Sequence, residues 1–264
     1  METKKIRCAT ALSFSSLPGL TYSLNPYRGC QHNCAYCYVP NVLHIPRERW
    51  GTFVHTKHNI PQILEKELLK KKGGVVGIST VTDPYQPIEK HEQLTRQCLG
   101  KLLLHDYPIC VQTKSSLILR DLDLLSRFNS AEIMMSIGTL NDAERILLEP
   151  YASPINERLK VLKKTADNGI KTSVFFGPIY PTITTEEIPQ ILNTFINHHI
   201  TEILIDRFNL KPGILENIHH KTQGHPLQQS FTTPKDNYNT TYTKIREELI
   251  RLGTEQGIRI IDAF

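Results

Sequence analysis

Nowhere in the 264 residues do eighteen apolar residues run together, so no segment reads as a membrane-spanning helix. The opening METKKIRCATALSFSSL has neither the apolar core nor the small-residue cleavage site of a secretory signal, and a cytoplasmic location is expected. Six cysteines do not make a disulfide scaffold in a chain this long, so a tight cysteine group points to metal binding or to chemistry. No internal repeat or low-complexity tract is found. No GxGxxG follows any apolar run, so the usual nucleotide fingerprint of an open doubly wound sheet is missing.

What is present is enough for a core. With 39% hydrophobic residues the chain supports one large α/β domain or two small ones. The net charge of +5 gathers in two basic stretches, Lys4, Lys5 and Arg7, then His44, Arg47, Arg49, His55, Lys57 and His58. Both suit phosphate, but a solvated surface explains them too, and this charge alone does not make a nucleic-acid binder.

Short β-branched runs alternate with amphipathic stretches of helical length, the pattern of βα units on a parallel sheet. Strands are expected near TYSLNPY, over 75–80 (VVGIST), 108–114 (PICVQTK) and 132–138 (EIMMSIG), and in KTSVFFGPI and EILIDRFN. Helices are expected in IPQILEKELLKKK, over 89–105, in LRDLDLLSRF and SPINERLKVLKKTADNG, and in TTEEIPQILNTFINHH despite Pro189. Six such units are too few for a closed eight-stranded barrel and fit a partial (β/α)6 barrel. The expected organisation is an N-terminal segment 1–21, a barrel over 22–210, and a C-terminal extension 211–264. In that extension an irregular connection, 211–237, lies over one mouth of the barrel, before the helix YTKIREELIRLGTEQG and the strand IRIIDAF.

The chemistry concentrates in NPYRGCQHNCAYCYVP, where Cys30, Cys34 and Cys37 fall within sixteen residues. Cys98 and Cys110 are expected to be core residues, and Cys8 has no assigned role. Three thiolates are soft ligands and suit zinc or an iron-sulfur cluster. Zinc needs a fourth ligand, which His32 or His44 would supply as a Cys3His site. A cluster of four irons would instead leave one iron open to a small bidentate molecule. Two features favour the cluster: the loop follows the first strand of a βα series, at the end where such folds build active sites, and the chain has core enough to need no zinc staple.

C-x3-C-x2-C with Tyr36 before the last cysteine resembles the radical S-adenosylmethionine (SAM) superfamily. NPYRGCQHNCAYCY, TVTDPYQPIE, TKS, MSIGTLNDAERILLEP, ERL and RFNLKPG together resemble its spore photoproduct lyase-related branch, over roughly 22–213. The resemblance implies a TIM-type partial barrel of the radical SAM kind. It implies that Cys30, Cys34 and Cys37 ligate a 4Fe-4S cluster whose fourth iron is chelated by S-adenosyl-L-methionine. Reductive cleavage then gives methionine and a 5′-deoxyadenosyl radical that abstracts hydrogen from a substrate.

By the same resemblance, Ser79, Thr80, Thr82 and Asp83 lie near the methionyl amine, Lys114 faces its carboxylate, and Ser136 stands beside it. Gly177 and Pro178 line the adenine pocket, with Tyr36 and Tyr38 close by, while Glu149 and Arg158 form a supporting ion pair. Arg207 and Asn209 are candidates for substrate contact, and no catalytic residue is assigned. The photoproduct lyases proper carry a hydrogen-donating cysteine where Thr80 stands here, so a true photoproduct lyase is not expected. The implied partners are a reducing protein such as flavodoxin or ferredoxin and a substrate that is unknown, with nucleic acid a candidate; no membrane association is expected, and oligomeric state is unspecified.

Overall fold

The computed structural model describes residues 1–208, 210–232 and 235–263, with side chains described from 238 in the last stretch. Among these residues eleven strands occur in chain order: β1 Glu2–Ile6, β2 Leu12–Phe14, β3 Tyr22–Leu24, β4 Tyr27–Arg28, β5 Phe53–Lys57, β6 Val76–Ile78, β7 Ile109–Thr113, β8 Ala131–Ser136, β9 Lys171–Phe176, β10 Glu202–Ile205 and β11 Arg259–Asp262. Eight build one sheet in the order β11-β10-β9-β8-β7-β6-β3-β2. Strands β3 and β6 to β11 pair in parallel, and β2 runs antiparallel on β3. Six of the parallel strands, β3 and β6 to β10, are each followed by helix, which is the expected partial (β/α)6 barrel. β2 and β11 form its open edges.

The crossover helices bury one stripe each. In Ile60–Leu68, Ile60, Leu64 and Leu68 recur at four-residue spacing and all are buried. Proline does not break Ile188–Ile196 because Pro189 sits in its first turn, where the backbone N–H has no helical partner. The helix expected over 89–105 is instead two, Glu89–Glu92 and Leu94–Leu104, parted at Gln93 with φ of 53°. The cause is Glu89, whose buried carboxylate accepts from Thr95 N (3.0 Å) and Arg96 N (3.2 Å) and so caps the second helix.

Three expectations need correction. The stretch 211–237 is not wholly irregular: it holds the helices Ile214–Lys221 and Leu227–Ser230, with Ile214 and Ile218 buried. Their shortness, between Gly213 and Pro226, hid the period. The basic stretch around His55, for which no strand is expected from sequence, contains β5, which pairs in parallel with β1 and antiparallel with β4 as a separate three-stranded sheet. Part of each basic stretch therefore lies on one sheet, with Lys4 opposite His55 and His55 opposite Arg28, and Glu2 beside them pairs with Arg49 and His55. Finally, Cys98 is buried in the core as expected, whereas Cys110 on β7 is half-buried and faces the barrel interior. No helix among the described residues is long and apolar enough to cross a membrane.

Candidate functional site

The cysteine loop has little regular structure and is instead tied from every side. Thr82 Oγ1 donates to Gly29 O (2.6 Å), and Gln31 N donates to Gln86 Oε1 (2.8 Å). Ala35 N donates to Leu148 O (2.8 Å), Asn217 Nδ2 to Ala35 O (2.7 Å), and Arg47 Nη1 to Cys37 O (2.9 Å). Gly29 has φ of 90°, and a Cβ there would stand 2.4 Å from Phe53 O, so the turn into Cys30 requires glycine.

This loop covers the carboxyl ends of the parallel strands and roofs one cavity. Cys30, Cys34 and Cys37 all line it, as do Tyr36, Tyr38, Ser79, Thr80, Thr82, Asp83, Lys114, Ser136, Gly177 and Pro178. Residues spread over more than 140 positions of sequence thus meet in one cavity. All six cysteines are free thiols. Burial pushes the Cys30 thiol up to about 12, so binding of a soft metal group here releases protons.

The hydrogen bonds sort these residues into two kinds. Asp83, Thr82 and Tyr36 already have protein partners. Asp83 Oδ1 accepts from Thr113 Oγ1 (2.7 Å) and Tyr85 N (2.9 Å), and Oδ2 from Lys114 N (2.9 Å). Thr82 holds Gly29 and accepts from Gln86 Nε2 (2.9 Å). The Tyr36 hydroxyl donates to Glu149, which pairs with Arg158; both members of that pair are fully buried, as the expected supporting ion pair should be. Arg158 also donates to Ser153 O (2.8 Å) and Ser136 O (2.9 Å).

The other kind is unsatisfied. Ser79, at φ of 64°, holds a buried hydroxyl with no partner, and Lys114 Nζ has no ion pair among the described residues. Burial opposes the Lys114 charge, yet Cys34 and Glu149 nearby leave its pKa raised, so it stays a cation facing the cavity. A buried hydroxyl and an unpaired lysine beside three thiols suit a ligand with both carboxylate and polar groups. Ser136 Oγ accepts from Gln112 Nε2 (3.1 Å), and Thr80 Oγ1 from Asn25 Nδ2 (3.4 Å).

His32 is buried beside Asp83, with Nε2 3.8 Å from Oδ1, and burial lowers its pKa. His44 is exposed and outside the cavity. Among the described residues no three His, Cys, Asp or Glu side chains, the three thiols included, converge as a single-ion site, and His32 lines the cavity with both ring nitrogens free of hydrogen bonds. Three thiols from one loop fit a four-iron cluster that keeps one iron open.

Arg207 reaches the cavity, and Asn209 lies outside the described residues. Sequence reasoning missed Asp206, Trp50, Phe175 and Phe208 in the wall, and Leu17 and Leu20 from the N-terminal segment. Leu20 enters where Gly77 has no side chain, since a Cβ there would stand 2.4 Å from Leu20 Cδ1. Only Asp206 left a signal in sequence, as a charge at the end of an apolar strand.

The family model described as the radical SAM superfamily matches residues 24–195. An uncharacterized protein of Methanocaldococcus jannaschii is 31% identical over 262 residues, spanning 98% of this chain and 96% of that one. A protein of Pseudomonas phage M6 named radical SAM Nalpha-GlyT isomerase is 27% identical over 78% of this chain and 44% of its own length. Among solved structures, spore photoproduct lyase with bound AdoMet and dinucleoside spore photoproduct superposes with a TM-score of 0.68 at 16% identity, covering 97% of this chain and 80% of that one. That likeness extends the fold beyond the matched segment.

Proposed function

The chain belongs to the radical SAM superfamily, and on that premise we propose that it is an enzyme whose Cys30, Cys34 and Cys37 hold a 4Fe-4S cluster with one iron open to SAM. When bound, that pair supplies an electron to the sulfonium and a 5′-deoxyadenosyl radical for hydrogen abstraction. The observation that carries this reading is the one cavity in which three free thiols face a lysine without an ion pair among the described residues and an unsatisfied serine hydroxyl. Lys114 meets the methionyl carboxylate, and Ser79 meets the amine. Asp83, Thr82 and Tyr36 keep the loop and strand ends in place.

The substrate class we favour is nucleic acid. Lys4, His55 and Arg28 adjoin on one sheet that leads to Cys30, the phage relative is named radical SAM Nalpha-GlyT isomerase, and the structurally similar lyase is solved with a dinucleoside spore photoproduct. Thr80 in the cavity wall is a poor hydrogen-atom donor beside a thiol, so the net reaction differs from photoproduct repair. The electron comes from a small reducing protein of the flavodoxin or ferredoxin kind.

The test is anaerobic iron-sulfide reconstitution followed by electron paramagnetic resonance of the reduced protein with and without SAM. A 4Fe-4S signal that changes on adding SAM supports the reading. A colourless protein holding one zinc overturns it.

A further inference from the structure

Among the buried polar atoms without a hydrogen-bond partner is Nε1 of Trp50, the only tryptophan in the chain. Neither the family resemblance nor the reading above gives this residue a role, although it lines the cavity. Its indole, 5% exposed, packs in one small apolar cluster with Cys30 and Val39, and Cys37 packs against that cluster. An indole N–H can only donate, and a donor buried without a partner weakens the fold until an acceptor meets it.

The way the ring is held limits which acceptor. Trp50 closes the short turn Arg47–Arg49, where its backbone N–H donates to Arg47 O (3.0 Å), while Arg47 Nη1 donates to Cys37 O (2.9 Å). One residue therefore ties the backbone of Trp50 to that of Cys37. Gly51, at φ of 81°, lies so close to the cysteine loop that a Cβ there would stand 2.3 Å from the Asn33 side chain. The indole is thus clamped against the loop from both flanks. Burial pushes the Cys37 thiol up, and the Trp50 side chain is among the groups that oppose this by favouring the thiolate. A neutral thiol is a weak acceptor, whereas a thiolate on iron carries negative charge and free lone pairs. The N–H that is idle beside the thiol gains its partner when metal binding displaces the proton.

We propose that the Trp50 indole N–H donates a hydrogen bond to the Cys37 sulfur of the loaded cluster and so raises the cluster's reduction potential. This rests on the cluster-binding reading above. Reduction adds negative charge that spreads onto the sulfurs, and a donor there stabilises the reduced form more than the oxidised one. Backbone N–H groups of His32 and Asp83 favour the Cys30 thiolate, and that of Val39 favours the Cys37 thiolate, in the same sense. Those donors survive a change of side chain. The Trp50 N–H can be deleted alone.

The experiment is the midpoint potential of the reconstituted protein, by anaerobic redox titration read by electron paramagnetic resonance without SAM. It compares wild type, Trp50→Phe, and wild-type chain made in a tryptophan auxotroph fed benzothienylalanine. Because the chain has one tryptophan, that analogue exchanges N–H for sulfur at this position alone and keeps the two-ring shape. Both altered proteins are expected to load iron as wild type does and to shift the reduction equilibrium about tenfold toward the oxidised form, about 59 mV more negative for one electron. A solvent-exchangeable proton coupled to the cluster, seen by electron-nuclear double resonance in wild type, should be missing from the analogue protein. A wild-type potential in the analogue protein overturns the inference and leaves the enzyme reading intact, even where Trp50→Phe shifts or fails to fold, since indole bulk would then be what matters. A wild type that takes up one zinc and no cluster removes both.

Discussion

Arg158 is the best place to test whether the site is held from behind as the hydrogen bonds indicate. It is a wholly buried guanidinium, bonded to Glu149, Ser153 O and Ser136 O. Glu149 in turn holds Tyr36, between two of the thiols. Arg158→Met keeps much of the volume but leaves Glu149 without its partner and two carbonyls without a donor. Breaking a buried pair from one side costs about 3–5 kcal/mol, a large part of the roughly 5–15 kcal/mol that keeps a domain folded. Glu149→Gln is the milder lesion, because the amide still offers Arg158 an acceptor.

Urea unfolding of the cluster-free protein reads all of this, and the double variant closes the cycle. The two residues should couple by about 2 kcal/mol or more. The pH dependence has a definite sign. Burial alone would raise the Glu149 carboxyl, but Arg158, Lys114 and Tyr36 overcome it and hold the pKa below its usual value. Its stabilising contribution is therefore complete above the unfolded value, near 4.3, and is lost as pH falls through the lower folded value. The gap in stability between wild type and Glu149→Gln should shrink on acidification below about pH 4. An Arg158→Met cost under about 1 kcal/mol, the range of exposed pairs, would refute the reasoning.

Cys34→Ala should abolish both the brown colour and SAM cleavage after reconstitution; iron content and methionine release measure it, and retention of both contradicts the ligand assignment. Lys114→Met should weaken SAM binding about tenfold or more while leaving cluster content near wild type, because in the proposed reading the lysine meets the carboxylate and not the irons; equal affinity in dialysis would return Lys114 to a structural role. Incubation of the loaded enzyme with the thymine photoproduct, SAM and reductant should give no repair by chromatography, since Thr80 replaces the thiol; repair at lyase-like rates contradicts it.

Much of the barrel was legible because its signals are local. Each strand is a short apolar run, each crossover helix a stripe at four-residue spacing, and the cysteine spacing is self-contained. What escaped depends on contacts between distant segments. Glu89 reads as one more charged residue in a helix, and only the fold shows it buried against Tyr27 and Arg120, ending one helix and starting the next. Lys4 and His55 look like two unrelated basic stretches until β1 pairs with β5. Leu20 is unremarkable in a polar N-terminus, yet it fills the space that Gly77 leaves beneath the cavity.

The site residues divide along the same line. A motif names residue types at the strand ends, and the described ones from Ser79 to Arg207 named there for cofactor or substrate reach the cavity wall. It does not say which lone pairs and protons are already used. Asp83, Thr82 and Tyr36 spend theirs on Thr113, Gly29 and Glu149, whereas Lys114 and Ser79 keep theirs free. Affinity for a charged cofactor should follow the second group, because only an unpaired group gains a bond on binding. Stability of the cluster-free loop should follow the first. A set of five single variants, each scored for both SAM affinity and unfolding, would show two separate groups; one common ranking on both scales would mean that the division by hydrogen bonding has no functional content.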